Sequence, residues 1–174
     1  MAPMVLSPDL LPKVQVRAAG ENDIAFIVEA ETSPENIDSV GSWAPEVHRA
    51  NLSDGKFGYF VAVDEDDLPI GFAILNDLND ADKAVQLQRI VMNARGHGLG
   101  RAFLHHIIDA AFNDHQAKRL WLAVFSDSNK AIRANRRLGL IEESVRKEPI
   151  VHNGQTHSVS IMAILEDEWR DLHA

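Results

Sequence analysis

The sequence predicts one mixed α/β domain, with helices on both faces of a single sheet. The chain has 174 residues, which suits one domain with a substantial core. Segments that alternate like strands are interleaved with segments that repeat apolar residues at helical spacing, which is typical of a layered α/β fold. No repeat or low-complexity linker divides the chain. Residues 13–174 are therefore expected to form one domain, and residues 1–12 a loosely ordered arm.

The N-terminal half contains the signals of two strands that pair as a hairpin. Residues 13–18 alternate valines and predict the first strand, and apolar residues at helical spacing predict a helix from residue 24. The polar stretch 33–51, broken by proline and glycine, predicts loops and short helical turns. Residues 57–63 and 70–75 are apolar strands joined by an acidic turn, which predicts the hairpin.

A third long strand is expected over residues 85–92. Its alternation holds for Val85, Leu87 and Arg89 and then breaks at residues 90–92, and such a break is typical of a β-bulge.

The C-terminal half also alternates between strands and helices. The expected elements are a helix at 98–112, a strand at 120–125, a helix ending at Gly139, strands at 145–151 and 159–165 around the turn dipeptide Asn153-Gly154, and a short helix at 166–172.

The composition excludes several classes of site. The chain has no cysteine, which excludes disulfides, thiolate metal sites and a cysteine nucleophile, and it suits a reducing compartment such as the cytoplasm. No long apolar run or signal peptide is present, so no membrane partner is expected. His105, His106 and Asp109 match no metal-ligand pattern and are expected on a solvated helix face, so no metal is expected.

Charge is divided unevenly along the chain. The formal net charge is −9, which argues against a nucleic-acid partner. Residues 89–137 contain nine basic and three acidic residues, a net charge of +6, which leaves −15 for the rest. One basic segment in an acidic protein indicates a local anionic ligand.

A glycine-rich string lies inside this basic segment, between the suspected bulge and the amphipathic helix. Glycines let the backbone approach a ligand closely, a helix N-terminus presents free N–H groups, and two arginines add positive charge. Together these features predict a pyrophosphate cradle. The string lacks the Gly-Lys-Ser/Thr ending of a P-loop and the spacing of a dinucleotide fingerprint. Its members are Arg95, Gly96, His97, Gly98, Leu99, Gly100 and Arg101.

Two motifs resemble those of the GNAT family of N-acetyltransferases. Residues 95–100 resemble its R/Q-x-x-G-x-G/A motif, and residues 129–140 resemble its second signature, a helix that ends in Leu-Gly-Phe. The order of elements agrees from Val14 to Leu165. The closing hairpin and Glu168-Trp169 resemble the branch that acetylates ribosomal-protein N-termini and small amines. The resemblance implies a mostly antiparallel central sheet, splayed between its fourth and fifth strands.

The resemblance implies acetyl-CoA as co-substrate and assigns residues to it. The glycine string matches the segment that binds the pyrophosphate, and the strand before it matches the segment that pairs with the pantetheine arm. Lys130, Arg133 and Arg136 on the following helix could contact the adenosine 3′-phosphate. The alternative is that they lie on a solvated helix face. The implied residues beyond the glycine string are Ile90, Val91, Met92, Asn129, Lys130, Arg133 and Arg136.

The catalytic positions depart from the family pattern. Gln86 stands where many members have a glutamate that acts on the amine, and Asn135 where many have a tyrosine that protonates the leaving thiolate. An amide can orient water but cannot exchange the proton. Positioning alone, or another group, must then carry the chemistry. Candidate substitutes from the N-terminal region, otherwise expected at the surface, are Glu29, Glu31 and His48, and Trp43 is a candidate for lining the acceptor pocket.

These observations lead to three functional hypotheses. The first is an enzyme that moves acetyl from acetyl-CoA directly to a primary amine of a small molecule or a protein N-terminus. The second is a non-catalytic acyl-CoA-binding module, which the two amides favour. The third is a transferase of a different acyl group. The resemblance also allows a homodimer.

Overall fold

The computed structural model describes residues 11–36, 41–93, 98–146, 149–152 and 154–174. The strands are β1 (Gln15–Ala18), β2 (Gly58–Val63), β3 (Pro69–Asn76), β4 (Ala84–Met92), β5 (Arg119–Phe125), β6 (Ile141–Val145), β7 (Ile150–His152), β8 (Gln155–His157) and β9 (Val159–Leu165). The helices are α1 (Ile24–Thr32), α2 (Pro45–Leu52), α3 (Leu99–Asn113), α4 (Asn129–Arg137) and α5 (Glu166–Leu172), and a 3-10 turn (Glu21–Asp23) precedes α1.

Seven of the strands form one mixed sheet in the order β1-β2-β3-β4-β5-β9-β6, and β7 and β8 form a separate two-stranded ribbon. Neighbouring strands are antiparallel except β4 and β5, which run parallel. The predicted mixed, mostly antiparallel sheet is therefore confirmed. No helix in the described ranges combines the length and apolar character needed to cross a membrane.

Helices cover both faces of the sheet, as the sequence predicts. On one face Phe103 of α3, Ile132 of α4 and Trp169 of α5 pack with Leu120 of β5 in the larger core cluster. Phe103 is fully buried, and burying a side chain of that kind contributes roughly 1.5–3 kcal/mol. On the other face α1 packs against β2, β3 and the end of β4, with Ile27 at the centre of a smaller cluster.

A β-bulge changes the face that β4 presents along its length. Ile74 of β3 pairs with Arg89, whereas the next residue, Leu75, pairs with Leu87, so Gln88 is the extra residue. Leu87 therefore belongs to the larger core, while Arg89 lies on the opposite face, beside α1 and α2. The prediction of a bulge in this strand is confirmed. The bulge lies at Gln88, before Arg89, and not at residues 90–92 where the alternation breaks. The pairing with β3 sets this position.

The sheet opens between β4 and β5. The two strands pair only between residues 84–86 and residues 119–121. Beyond that point β4 pairs with β3 alone and β5 with β9 alone, which leaves an opening that we call the wedge, between residues 87–92 and residues 122–125. Backbone N–H and C=O groups on its two edges need partners from elsewhere. The predicted splay of the fourth and fifth strands is thus confirmed.

The C-terminal hairpin differs from the prediction. A strand was expected over residues 145–151, but β6 ends at Val145 and β7 begins at Ile150. All five residues of β6 are exposed, so this edge strand lacks the apolar alternation that marks a half-buried strand. Asn153 of the predicted turn lies outside the described residues, as do residues 1–10 of the predicted N-terminal arm. The domain boundary at residue 13 stays a prediction.

Candidate active site

The start of α3 presents backbone donors beside the wedge. Gly98 adopts a left-handed φ of +72° immediately before the helix, and the first helical bond runs from the Ala102 N–H to the Gly98 oxygen at 3.1 Å. The N–H groups of Leu99, Gly100 and Arg101 precede that bond and have no backbone acceptor among the described residues, so they can serve an anion along with the positive end of the helix dipole. The other predicted members of the cradle, Arg95, Gly96 and His97, lie outside the described residues.

The residues predicted for the pantetheine arm lie along the wedge. Ile90 and Val91 pair with β3 on one side, and Met92 ends the strand six residues before Gly98, which directly precedes α3. Val91 is buried under α1, whereas Ile90 and Met92 are partly buried at the larger core. Their free edge is the β4 side of the wedge.

The predicted residues of α4 fall into two groups. Asn129, Lys130 and Arg133 are exposed, and Arg136 is exposed and forms an ion pair with Glu142 of β6. Asn135 instead faces inward, as the sequence predicts, and is 8% exposed. Its Nδ2 lies 3.6 Å from the Met162 sulfur.

Gln86 lies at the vertex of the wedge. It pairs with Trp121 of β5 in the last parallel pair and with Asn76 of β3 on its other side. Its neighbours in β4, Val85 and Leu87, face the larger core, so Gln86 faces the side of α1 and α2. On that side Asn76 Nδ2 donates to Gln88 Oε1 at 3.0 Å.

Glu31 and His48 are fully buried together. They are therefore not the surface residues that the sequence predicts in the absence of a catalytic role. Glu31 Oε1 accepts from His48 Nε2 at 2.7 Å, and Oε2 accepts from Arg89 at 2.5 Å. The backbone N–H of Trp43 also donates to Glu31 Oε1, at 3.3 Å. Burial lowers the pKa of Arg89, and the Glu31 carboxylate opposes that shift. Glu29, the third candidate, is exposed.

This buried network continues into β2 and α2. The Tyr59 hydroxyl oxygen lies 2.8 Å from His48 Nδ1 and accepts from Asn51 Nδ2 at 3.1 Å. Burial raises the pKa of Tyr59. The Arg89 guanidinium lies 3.9 Å from the centre of the Trp43 ring. The network therefore holds Trp43, just before α2, against β4 directly after the bulge.

A second cluster, which sequence reasoning missed, lies at the end of β5. The rings of Phe125 and His157 are stacked at 4.5 Å with an interplanar angle of 21°, and His152 lies 6.0 Å from Phe125. His157 Nδ1 is buried without a hydrogen-bond partner among the described residues, and Asp127 Oδ2 is 3.6 Å from it. In the sequence, both histidines have the appearance of ordinary polar hairpin residues.

His105 and Asp109 are not simply solvated, contrary to the prediction. His105 Nε2 lies 3.0 Å from His173 Nε2, and Asp109 accepts from the Trp169 indole N–H at 3.3 Å. These contacts join α3 to α5, and burial lowers the pKa of His105. Among the described residues, no group of three or more side chains is arranged to hold a metal ion.

Comparisons with known proteins agree with this architecture. A family model described as the Acetyltransferase (GNAT) family matches residues 24–140. The spermidine N(1)-acetyltransferase of Vibrio cholerae is 24% identical over 125 residues, which are 71% of this chain and 72% of that protein.

Solved structures show the same fold. The Vibrio cholerae spermidine N-acetyltransferase in complex with CoA and spermine has a TM-score of 0.82 at 20% identity, covering 90% of this chain and 98% of that one. A chimera of the Vibrio cholerae enzyme also has a TM-score of 0.82 at 20% identity, covering 92% and 99% of the two chains.

Proposed function

The chain belongs to the acetyltransferase (GNAT) family and is an acetyl-CoA-dependent N-acetyltransferase, and from this premise we propose that its acceptor is a small aliphatic amine with more than one positive charge. In the reaction the amine nitrogen attacks the thioester carbonyl carbon. The new C–N bond replaces the C–S bond, and the thiolate of coenzyme A takes up a proton.

The division of charge carries this proposal. The basic segment 89–137 includes the start of α3 and the whole of α4, which suits the phosphates of the donor. The rest of the chain has a net charge of −15, and such a field attracts a cation that carries several charges more than one that carries a single charge. The similarity to enzymes named for spermidine, one of them solved with spermine, supports the same class of acceptor.

The donor is proposed to lie with its pyrophosphate at the start of α3 and its pantetheine arm in the wedge. Left-handed Gly98 and the N–H groups after it fit an anion, and the unpaired edge at Ile90–Met92 fits an extended arm that needs backbone partners. Asn129, Lys130 and Arg133 are proposed to face the adenosine end. Gln86, at the vertex, and Asn135 are proposed to orient the reacting groups without exchanging a proton.

Thiol release from acetyl-CoA against a panel of amines tests the proposal. The panel pairs spermidine and spermine with monoamines of matched chain length, and it includes short peptides with free N-termini. We expect kcat/KM for the polyamines to exceed that for the monoamines by at least tenfold, and the difference to shrink as salt is added. Equal rates for monoamines, or a preference for peptides, would contradict the choice of acceptor.

The same assay addresses the two alternative hypotheses. Calorimetric binding of CoA without turnover of any amine would indicate the non-catalytic module, which the amides Gln86 and Asn135 favour. Faster turnover with propionyl-CoA or succinyl-CoA than with acetyl-CoA would indicate a different acyl group.

We also propose that two copies of the chain pair through the edge strand β6. Its side chains Ile141 and Val145 are 53% and 56% exposed, and pairing the two edges antiparallel about a twofold axis would cover them. The two carboxylates of this strand do not oppose such pairing, because Glu142 is paired with Arg136 and Glu143 with Arg119.

Replacing Val145 with lysine is expected to convert the dimer to a monomer, since it places a charge at each end of the paired edges. Sedimentation velocity at micromolar concentration measures the change, and Val47→Lys, at a 42% exposed position of α2, is the matched control. A dimer that survives Val145→Lys, or an unaltered chain that is monomeric, would contradict this interface.

The cysteine-free composition supports a cytoplasmic location. The net charge of −9 supports action without nucleic acid.

A further inference from the structure

We propose that His157 accepts the proton that an ammonium acceptor must lose before its nitrogen can attack. The inference rests on the proposed acetylation of an amine and deepens it by naming the base. Imidazole is the commonest general base in enzymes. The two residues at the usual catalytic positions, Gln86 and Asn135, are amides and cannot take the proton.

The position of His157 in the fold supports this role. Leu120 and Leu122 of β5 point into the larger core, so Phe125 and the alternate residues before it face the opposite side of the sheet. His157 is stacked on the Phe125 ring and therefore lies on that side. Arg89 lies on the same side of β4. The histidine cluster and the buried Glu31 network thus flank the two sides of the wedge.

The backbone next to His157 is joined to the end of β5. The Ser126 N–H donates to the Ser158 oxygen at 2.8 Å, and the Ser126 and Ser160 hydroxyls are 2.7 Å apart. Phe125 also pairs with Val159 in the sheet. These bonds join the end of β5 to the residues that directly follow His157, so the backbone beside the ring is fixed.

The His157 ring is partly exposed and lies beside a carboxylate and a second histidine. His157 is 18% exposed, and its buried Nδ1 lacks a hydrogen-bond partner among the described residues, which is unusual for an atom with no task. The Asp127 carboxylate lies 3.6 Å from Nδ1. The other titratable group of the cluster is His152 of β7, whose ring centre is 6.5 Å away.

The proposed step balances as a single proton transfer. The ammonium group of the acceptor gives one proton to His157 Nε2, which forms an imidazolium with Nδ1–H turned to Asp127. The neutral amine then forms the C–N bond as the C–S bond breaks, and its second proton goes to the departing thiolate. The imidazolium finally releases its proton to solvent.

Replacing His157 with glutamine tests the assignment. We expect kcat/KM for the amine to fall at least a hundredfold, in line with the loss of a general base, while KM for acetyl-CoA stays unchanged. The acidic limb of the pH profile of kcat/KM, where the unaltered enzyme loses activity as its base is protonated, is expected to disappear. His106→Gln, on the exposed side of α3, is the control and is expected to leave both measurements unchanged.

A second variant separates catalysis from folding. His157→Ala removes the ring entirely, and added imidazole is expected to restore part of its activity, which would not occur if the ring only stabilised the hairpin. A His157→Gln enzyme with kcat/KM within twofold and an unchanged pH profile overturns this proposal alone. Absence of turnover by the unaltered chain overturns the proposed function, and this inference with it.

Discussion

Replacing Arg89 with methionine is expected to lower the free energy of unfolding by about 3–5 kcal/mol, because it leaves a buried carboxylate without its charged partner. Glu31 is 0% exposed and the Arg89 side chain 7% exposed, and their oxygen and nitrogen are 2.5 Å apart. Methionine keeps much of the volume of the arginine stem, so the loss reports the charge more than the packing. Urea denaturation at constant m-value measures it.

Two further variants define this result. The double variant Glu31→Gln with Arg89→Met removes both charges and is expected to recover part of the lost stability, since no unpaired ion then remains. The matched control is Arg49→Met, which breaks an exposed pair with Glu21 of 2.9 Å and is expected to cost below about 1 kcal/mol. Equal losses at the buried and exposed arginines would show that the Glu31 network contributes no special stability.

Replacing Gly98 with aspartate is expected to weaken CoA binding at least tenfold, which is about 1.4 kcal/mol. Gly98 has a φ of +72°, where a side chain is strained, and it immediately precedes the free N–H groups of α3. The new carboxylate would lie where the pyrophosphate is proposed to bind, and like charges at such range repel strongly. Isothermal titration with CoA measures the affinity, and the loss is expected to shrink as salt is added.

Gly154→Asp is the matched control for that substitution. Gly154 has a φ of +73° and open space around it, so aspartate there brings the same backbone strain and the same charge to a different turn. Its CoA affinity is expected to equal that of the unaltered chain. If Gly98→Asp also binds CoA normally, the start of α3 is not the phosphate site.

The sequence predicts some elements closely because their signals are local. The apolar stripe of α3 and the short closing helix α5 are found within one residue of their predicted bounds. The edge strand β6 was misplaced because exposed residues carry no alternation. The bulge was expected two residues late, because only the register with β3 shows that Gln88 is the extra residue.

The site was predicted in part for similar reasons. The glycine string carries a local motif, and Gly98 lies at the start of a helix as expected. The sequence marks Glu31 and His48 as separate candidates, but Arg89, the charged partner of Glu31, is 58 residues away along the chain. No local sequence pattern marks His157 as a site residue. Its proposed role rests on its stacking with Phe125 and on a ring nitrogen without a hydrogen-bond partner among the described residues, and both are properties of the folded chain.

Only three residue pairs between β4 and β5 join the two halves of the sheet, β1 to β4 and β5 to β6. A ligand arm lying along the open edge of β4 would act as an eighth strand and connect the two halves of the sheet. Any molecule that binds only the folded state stabilises it by an amount that grows with the logarithm of its free concentration once that exceeds Kd. The supply of acyl-CoA would then raise the stability of this protein as well as its rate.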